Sequence, residues 1–210
     1  MTSRPAAANQ WREARRQSAR DAICVAAWGV AGEHGLAALS MRDLAMRAGT
    51  TTPTLYAYFD SKNAIYDAMF GQAARQFAEH MAADYEREDA AGVVLEAVTR
   101  FVEFCLSDIP RYQLLFQRTV PGFEPSDASY AHATAALDGT RRRLAEVGIG
   151  DPRHVDMLTA IATGLVDQQV SNDLGGDRWV SLIDEIVGMY LDHCLYPTTR
   201  GGPDDKRKKR

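Results

Sequence analysis

The chain has 210 residues, of which 46% are hydrophobic and 25% are charged, and its formal net charge is −4. This composition is sufficient for a globular core, and no run approaches the roughly 20 apolar residues of a membrane-spanning helix. Cys24, Cys105 and Cys194 lie far apart with no CxxC pair, which predicts small core residues rather than a disulfide framework; a redox-sensing pair is the alternative. The N-terminus shows no apolar signal segment, so we expect a cytoplasmic protein.

The charges are unevenly distributed along the chain. Residues 1–62 contain eight Lys/Arg against five Asp/Glu, residues 63–200 contain eleven against twenty-one, and the last ten residues contain five against two. A basic end joined to an acidic body is typical of a DNA-binding module attached to a domain with another role.

The first predicted element is a helix over residues 17–34. Ile23 and Ala27 fall on its apolar face, and Gly35 ends it. Residues 1–14 are rich in alanine, arginine and polar side chains, which predicts a disordered N-terminal arm.

Residues 40–62 predict two short helices joined by a tight turn. Ser40 is a good N-cap for the first helix, and Gly49 supplies the left-handed backbone that ends it. Thr51 can cap the second helix, and Pro53 falls in its first turn, where no backbone N–H is needed. The pattern predicts a helix-turn-helix whose second helix presents its N-terminal residues to the major groove of DNA.

The residue types within this segment resemble those of the TetR family of bacterial regulators. The residues that carry the resemblance are Ala48-Gly49, Pro53-Thr54-Leu55-Tyr56, Phe59, Ser61 and Lys62. The run over residues 26–35, with the following Leu39-Ser40, resembles the family's first helix. The resemblance covers residues 15–70 and implies an all-α, non-enzymatic regulator that binds DNA as a homodimer.

The resemblance also implies which side chains contact DNA, with residues 52–59 as the recognition helix. The implied contacts are Arg42, Thr51, Thr52, Pro53, Thr54, Tyr56, Tyr58 and Lys62. No Arg, Lys, Gln or Asn lies between Thr50 and Phe59, so the strongest bidentate base readers are absent. We therefore expect specificity to depend on methyl contacts, DNA shape and the arginine-rich arm in a minor groove. That arm contains Arg12, Arg15, Arg16 and Arg20, and the alternative is that it is a solvated run of charges.

The rest of the chain predicts further helices and no strand. One helix, capped by Asp60 or Ser61, extends to residue 83. Five more helices are predicted over residues 91–107, 110–118, 126–147, 152–174 and 177–196. With the first three they make an all-α chain of about nine helices. The predicted domains are a disordered arm (1–14), a helix-turn-helix domain (15–62), a ligand-binding and dimerisation domain (63–196) and a disordered basic tail (197–210).

Aromatic and sulfur side chains of the middle helices predict a ligand site, with core packing as the alternative for each of them. The candidates are Phe77, Met81, Phe101, Phe104, Tyr112, Phe116, Phe123, Tyr130, Met157 and Gln168. Asp167 and Gln168 interrupt an apolar helix, so they are either polar groups of a pocket or interface partners. Residues 114–126 resemble a ligand-domain segment of an actinobacterial TetR subgroup. This resemblance would place residues 121–123, where Pro-Gly-Phe interrupts the helical pattern, at the edge of a ligand cavity.

The last two helices carry apolar stripes, and in the resembled family two such helices pair with their mates in a dimer. The predicted interface residues are Leu158, Ile161, Leu165, Trp179, Ile183, Ile186, Val187 and Tyr190. Without the family, the stripes indicate only that both helices are buried on one side.

The sequence therefore predicts a TetR-like homodimeric regulator, by family habit a repressor, that is released from a palindromic operator by a small, largely apolar effector. No nucleophile elbow, phosphate-binding glycine loop or paired His/carboxylate cluster occurs, so we expect no catalytic residue, metal or cofactor. Two alternatives stay open: a DNA-binding protein that answers to no ligand, and a small-molecule-binding helical protein that keeps a vestigial helix-turn-helix.

Overall fold

The structure is a computed structural model that describes the backbone of residues 4–195 and the side chains of residues 9–195. In this range the chain forms nine α-helices and two short 3-10 turns, with no strand, which confirms the all-α prediction. The helices are α1 (Arg4–His34), α2 (Met41–Arg47), α3 (Thr52–Tyr58), α4 (Lys62–Ala82), α5 (Ala90–Ser107), α6 (Ile109–Phe116), α7 (Asp127–Glu146), α8 (Pro152–Asn172) and α9 (Ile183–Leu195). The 3-10 turns are Leu36–Ala38 and Val180–Leu182.

The helices divide into two compact units. One unit combines the residues up to Ala83 with Glu103–Asp138, and the other combines Asp84–Val102 with the residues from Gly139 onward. In the first unit α4 packs with the helix-turn-helix, because its buried face enters the same apolar cluster as α1, α2 and α3. The predicted functional boundary at residue 62 thus falls inside a structural unit, and the division of roles between domains stays a prediction.

The first helix is longer than the sequence pattern predicted. It begins at Arg4 rather than near residue 17, so residues 4–14 are helical where we expected a disordered arm. The physical reason lies in the composition of the segment: alanine, arginine, glutamine and glutamate are good helix formers, and no glycine interrupts them before residue 29. Residues 1–3 lie outside the described range.

The helix-turn-helix has the caps that its sequence predicts. The Ser40 hydroxyl oxygen accepts from the backbone N–H of Asp43 at 3.1 Å and donates to the Asp43 carboxylate at 2.6 Å. Gly49 takes a φ of 64°, in the region that favours glycine. The Thr51 hydroxyl oxygen caps α3, and that of Ser61 caps α4.

The last helix begins later than predicted, at Ile183 rather than Asp177. The backbone N–H groups of Trp179 and Val180 donate to the side chain of Gln169 on α8, at 2.9 and 3.2 Å. A 3-10 turn follows these two contacts and precedes α9. The predicted end at residue 196 and the basic tail over 197–210 lie outside the described residues.

Candidate functional site

The recognition helix α3 has one buried face and one exposed face. Leu55 and Phe59 are 0% and 1% exposed and belong to the helix-turn-helix core. Pro53, Thr54 and Tyr56 lie on the opposite side and are exposed. A short helix anchored in this way presents its first turn to a partner without losing its packing.

The first turn of α3 is organised by two threonines. The Thr51 hydroxyl oxygen accepts from the backbone N–H of Thr54 at 3.3 Å, and the two hydroxyl oxygens lie 2.9 Å apart. Both residues are exposed, so each hydroxyl can form a further hydrogen bond with solvent or a partner. This end of a helix also concentrates free N–H groups and a positive partial charge, which favours a phosphate nearby.

The other predicted DNA contacts lie on α3 itself and on its neighbours α2 and α4. Arg42 is exposed in the first turn of α2, whereas Thr52, Tyr58 and Lys62 are half-buried. The ammonium group of Lys62 lies 5.4 Å from the centre of the Tyr66 ring. The contacts of these residues with DNA stay a prediction.

Arg20 of α1 holds the far end of α3, a contact that sequence reasoning missed. Its guanidinium donates to the Tyr58 carbonyl and stacks on the Phe59 ring, 4.1 Å from the ring centre. Tyr58 is the last residue of α3, where helix carbonyls lack intrahelical partners and attract a cation. The signal that could have predicted this contact is the position of Arg20, one helical turn before Ile23, the first buried residue of α1.

The two helices that precede α3 are joined by an ion pair on the surface. Both terminal nitrogens of Arg47 on α2 lie 2.6 Å from the Glu33 carboxylate on α1. The guanidinium packs against Gly29 of α1, and a Cβ added there would lie 2.7 Å from the guanidinium nitrogens of Arg47. The hydrogen bond from Arg47 lowers the pKa of the Glu33 carboxyl, and the pKa of Arg47 is raised in return.

Four of the predicted ligand residues form an aromatic cluster in the first unit. The Phe77 ring on α4 lies 5.0 Å from that of Phe104 and 5.3 Å from that of Phe116, and Phe116 lies 5.9 Å from Tyr112. His80 adds a fifth ring, 5.7 Å from Phe104. Phe104 and Phe116 are half-buried, so part of the cluster is open to solvent.

The other candidates lie elsewhere. Met81 is buried on α4. The ring centres of Phe123 and Tyr130 each lie 6.4 Å from that of Phe70, which is on a more N-terminal part of α4 than Phe77. Phe101, Met157 and Gln168 belong to the second unit. The sequence set therefore does not form a single cluster.

The buried polar residue of α8 is Gln169, next to Gln168, which the sequence predicted as a ligand residue. Gln168 is exposed and accepts from Asn172 at 2.9 Å, whereas Gln169 is 1% exposed and holds the loop before α9. Helical periodicity could have distinguished them, because Gln169 continues the buried face of Leu158, Ala162 and Leu165.

The predicted interface residues are largely occupied within their own chain. Leu158, Leu165, Val187 and Tyr190 are buried, and Ile161, Trp179, Ile183 and Ile186 are half-buried. Other apolar side chains are exposed on these two helices and on the 3-10 turn before α9: Met189 is 66% exposed, Leu182 37% and Met157 36%. These three side chains and the half-buried isoleucines are the accessible apolar groups of this region, and the dimer interface stays a prediction.

The second unit also brings two histidines together. The rings of His154 on α8 and His193 on α9 lie 5.9 Å apart, and the Tyr190 hydroxyl donates to the His154 carbonyl at 3.0 Å. Among residues 4–195, no three His, Cys, Asp or Glu side chains are grouped so that they could hold a metal ion. No helix in the same range combines the length and hydropathy of a membrane span.

The family model described as bacterial regulatory proteins, tetR family, matches residues 23–69, from the buried part of α1 into α4. Residues 23–69 therefore form a DNA-binding domain of the TetR type. TetR family regulators are DNA-binding transcription factors without enzymatic activity. No curated protein matches the chain in sequence.

Solved structures share the fold over most of the chain. A TetR family transcription regulator from Marinobacter aquaeolei is 17% identical, with a TM-score of 0.62 over 86% of this chain and 97% of that one. FadR from Bacillus subtilis, solved with stearoyl-CoA, is 20% identical, with a TM-score of 0.61 over 81% and 96%. A TetR variant from Acinetobacter baumannii, solved with minocycline, is 18% identical, with a TM-score of 0.55 over 83% and 94%. These two ligands differ in chemistry, so the shared fold does not select an effector.

Proposed function

We propose that the chain is a homodimeric repressor of the bacterial cytoplasm that reads a palindromic operator with two copies of α3. One helix-turn-helix reads one half-site, so a specific operator requires two. The observation that carries the proposal is the exposed first turn of α3, fixed by the Thr51 cap and by the burial of Leu55 and Phe59.

The chemistry of this turn favours particular bases. The Pro53 ring and the threonine methyl groups suit the methyl group of thymine, and the hydroxyl of Thr54 suits a base edge or a phosphate. Tyr56, Arg42 and Lys62 would position the helix through phosphates. We therefore propose half-sites that contain thymine at the positions facing Pro53 and Thr54.

We also propose that a small, largely apolar ligand binds at the aromatic cluster around Phe77. The half-buried rings of Phe104 and Phe116 could be covered by such a ligand, and His80 offers a polar group beside them. FadR from Bacillus subtilis, solved in complex with stearoyl-CoA, supports the proposal of a ligand with an apolar part.

A direct set of contacts joins this cluster to the helix-turn-helix. Helix α6 carries both Phe116 and Arg111, and the Arg111 guanidinium lies 4.8 Å from the centre of the Trp28 ring on α1. The Trp28 ring N–H donates to Gln72 on α4 at 2.9 Å. A ligand that displaces Phe116 would move α6 against Trp28, and it releases DNA if it binds the displaced state more tightly.

The test is binding of the purified chain to the region upstream of its own gene and to a scrambled duplex, at about 150 mM salt. We expect a preference of about three decades or more. Thr54→Ala should lower specific affinity about tenfold, as expected for one lost base contact, while the matched Thr134→Ala on α7 should leave it unchanged. Equal affinity for both duplexes would contradict the proposal.

The ligand and the sign of regulation have their own measurements. Lipophilic compounds that raise the melting temperature should also release the chain from operator DNA. A library without any such compound would favour a regulator that answers to no ligand. Deletion of the gene should raise transcription from its operator if the chain is a repressor, and a fall would make it an activator.

A further inference from the structure

Helix α1 extends well beyond the core of the helix-turn-helix. The first buried side chain along it is Ile23, and none of residues 9–22 is buried. At 1.5 Å per residue these fourteen positions span about 20 Å of helix. Such an exposed extension is not required by the packing of α2 and α3.

The extension carries a stripe of positive charge. Arg12, Arg16 and Arg20 are four residues apart and therefore lie along one face, with Arg15 beside them. In the described part of the chain neither Arg12 nor Arg16 has an acidic partner. The Asp21 carboxylate is engaged by Gln17 at 2.9 Å.

The stripe points to the side of α1 on which the DNA-reading elements lie. Eleven residues make about three turns, so Arg12 shares the face of Ile23, and Arg16 that of Ala27. Both apolar residues pack into the core with α2 and α3. Arg20, the innermost member, already reaches the Tyr58 carbonyl at the end of α3.

We infer that Arg12, Arg15 and Arg16 bind the phosphates of the duplex adjacent to the segment that α3 reads. This inference rests on the proposed function, because it takes α3 as the reader of the operator. Duplex DNA carries one negative charge per about 1.7 Å of its axis, so a row of arginines about 6 Å apart along a helix meets several phosphates. The contact adds affinity that does not depend on sequence and lengthens the footprint.

The helical form of the extension decides how it meets DNA. An α-helix with side chains is about 10–12 Å wide, whereas the minor groove is about 6 Å wide. The extension therefore cannot enter the minor groove as an extended arm would, and the predicted base contacts there are replaced by contacts to the backbone. Arginine suits this role because its planar group binds a phosphate in bidentate fashion.

The test is a triple substitution of Arg12, Arg15 and Arg16 to Gln, compared with a control that removes the same charge elsewhere. The control replaces the exposed Arg87, Arg118 and Arg153 with Gln. Affinity for the operator region and for random duplex is measured between 50 and 200 mM salt, with circular dichroism to show that α1 is retained. Replacement of the same three arginines with Lys keeps the charge.

We expect the Gln variant to lose affinity about 10- to 100-fold on both duplexes and to show a shallower salt dependence, by about one unit of slope per lost phosphate. The Lys variant should keep the salt slope of the original chain. Ethylation of phosphates beside the half-site should interfere with binding of the original chain and not of the Gln variant. A Gln variant that behaves like the control would overturn the inference.

The two proposals fail in different ways. If the original chain prefers its own upstream region but the Gln variant matches the control, only the stripe is wrong. If the original chain shows no preference for any duplex, the proposed operator reading is wrong, and the loss on random duplex still tests the stripe.

Discussion

The hydroxyl of Tyr66 on α4 donates a hydrogen bond to the backbone carbonyl of Leu36, with the two oxygens 2.6 Å apart. Tyr66 is 0% exposed and Leu36 is 3% exposed. Leu36 opens the 3-10 turn between α1 and α2, so this one bond fixes α4 to the connection that leads into the helix-turn-helix. Burial away from water raises the pKa of the Tyr66 hydroxyl, which keeps it a donor.

Tyr66→Phe should therefore destabilise the chain while leaving its packing in place. The ring would keep its contact with Phe123, whose centre lies 5.6 Å away. The Leu36 carbonyl would lose its partner, which costs about 1–3 kcal/mol of unfolding free energy. Urea unfolding measures the change, with the exposed Tyr130→Phe as the control that should stay within about 0.5 kcal/mol. Equal stabilities of the two variants would show that the buried bond contributes nothing.

Gln169 plays a comparable role in the second unit. Its amide nitrogen donates to the Gly176 carbonyl at 3.1 Å, and its amide oxygen accepts from the N–H groups of Trp179 and Val180. Gln169→Met keeps the approximate shape and removes every one of these bonds, so we expect a loss of about 2–4 kcal/mol. Gln168→Met changes the exposed neighbour and should cost less than about 0.5 kcal/mol. Similar losses for both variants would contradict this account of the loop.

The features that the sequence predicted well are those set by neighbours within a few residues. Ser40, Gly49, Thr51 and Ser61 act as caps or turns because each bonds to backbone three residues away or supplies its own φ. The two-sided character of α3 follows from the spacing of Leu55 and Phe59, four residues apart. Local chemistry of this kind can be read without knowledge of the fold.

The features that sequence missed depend on partners far along the chain. Tyr66 reaches a carbonyl thirty residues earlier, and Gln169 delays α9 by binding backbone ten residues later. Aromatic composition suggested the ligand candidates, but whether Phe123 joins Phe77 or Phe70 is a matter of tertiary packing. The start of α1 was placed too late because an exposed helix has no apolar periodicity to reveal it.

Alkaline pH should destabilise the chain through Cys24. Burial raises the pKa of this thiol from an ordinary value of 9.0 to about 11. The thiol therefore stabilises the fold below pH 9, and that contribution is lost as the pH rises from 9 to 11, because the unfolded chain gives up its proton first. Tyr66 and Tyr85, whose pKa values burial also raises, act in the same direction.

Urea unfolding at about pH 8 and about pH 10.5 measures this loss, to which Cys24 should contribute about 2 kcal/mol. Cys24→Ala lowers stability at both pH values by removing a buried group, but the difference between them should shrink. A difference of the same size in the variant would show that Cys24 does not cause the alkaline loss, which would then come from other groups whose pKa values burial raises, such as Tyr66, Tyr85 and Cys194.

The exposed apolar side chains of α8 and α9 predict how the proposed homodimer can be broken. Met189 is 66% exposed, and it lies on the same face of α9 as the half-buried Ile186, three residues earlier. Met189→Glu would place a charge in the proposed interface, where burial without a partner is costly. We expect it to convert the dimer to monomers at micromolar concentration in light scattering.

The matched control is Leu174→Glu, which changes a side chain that is 69% exposed in the loop after α8. It should remain a dimer with unchanged operator affinity. The Met189 variant should bind operator DNA much more weakly, because a monomer reads only one half-site. If it keeps both its mass and its affinity, then the exposed face of α8 and α9 is not the interface, and the apolar side chains there are left without a role.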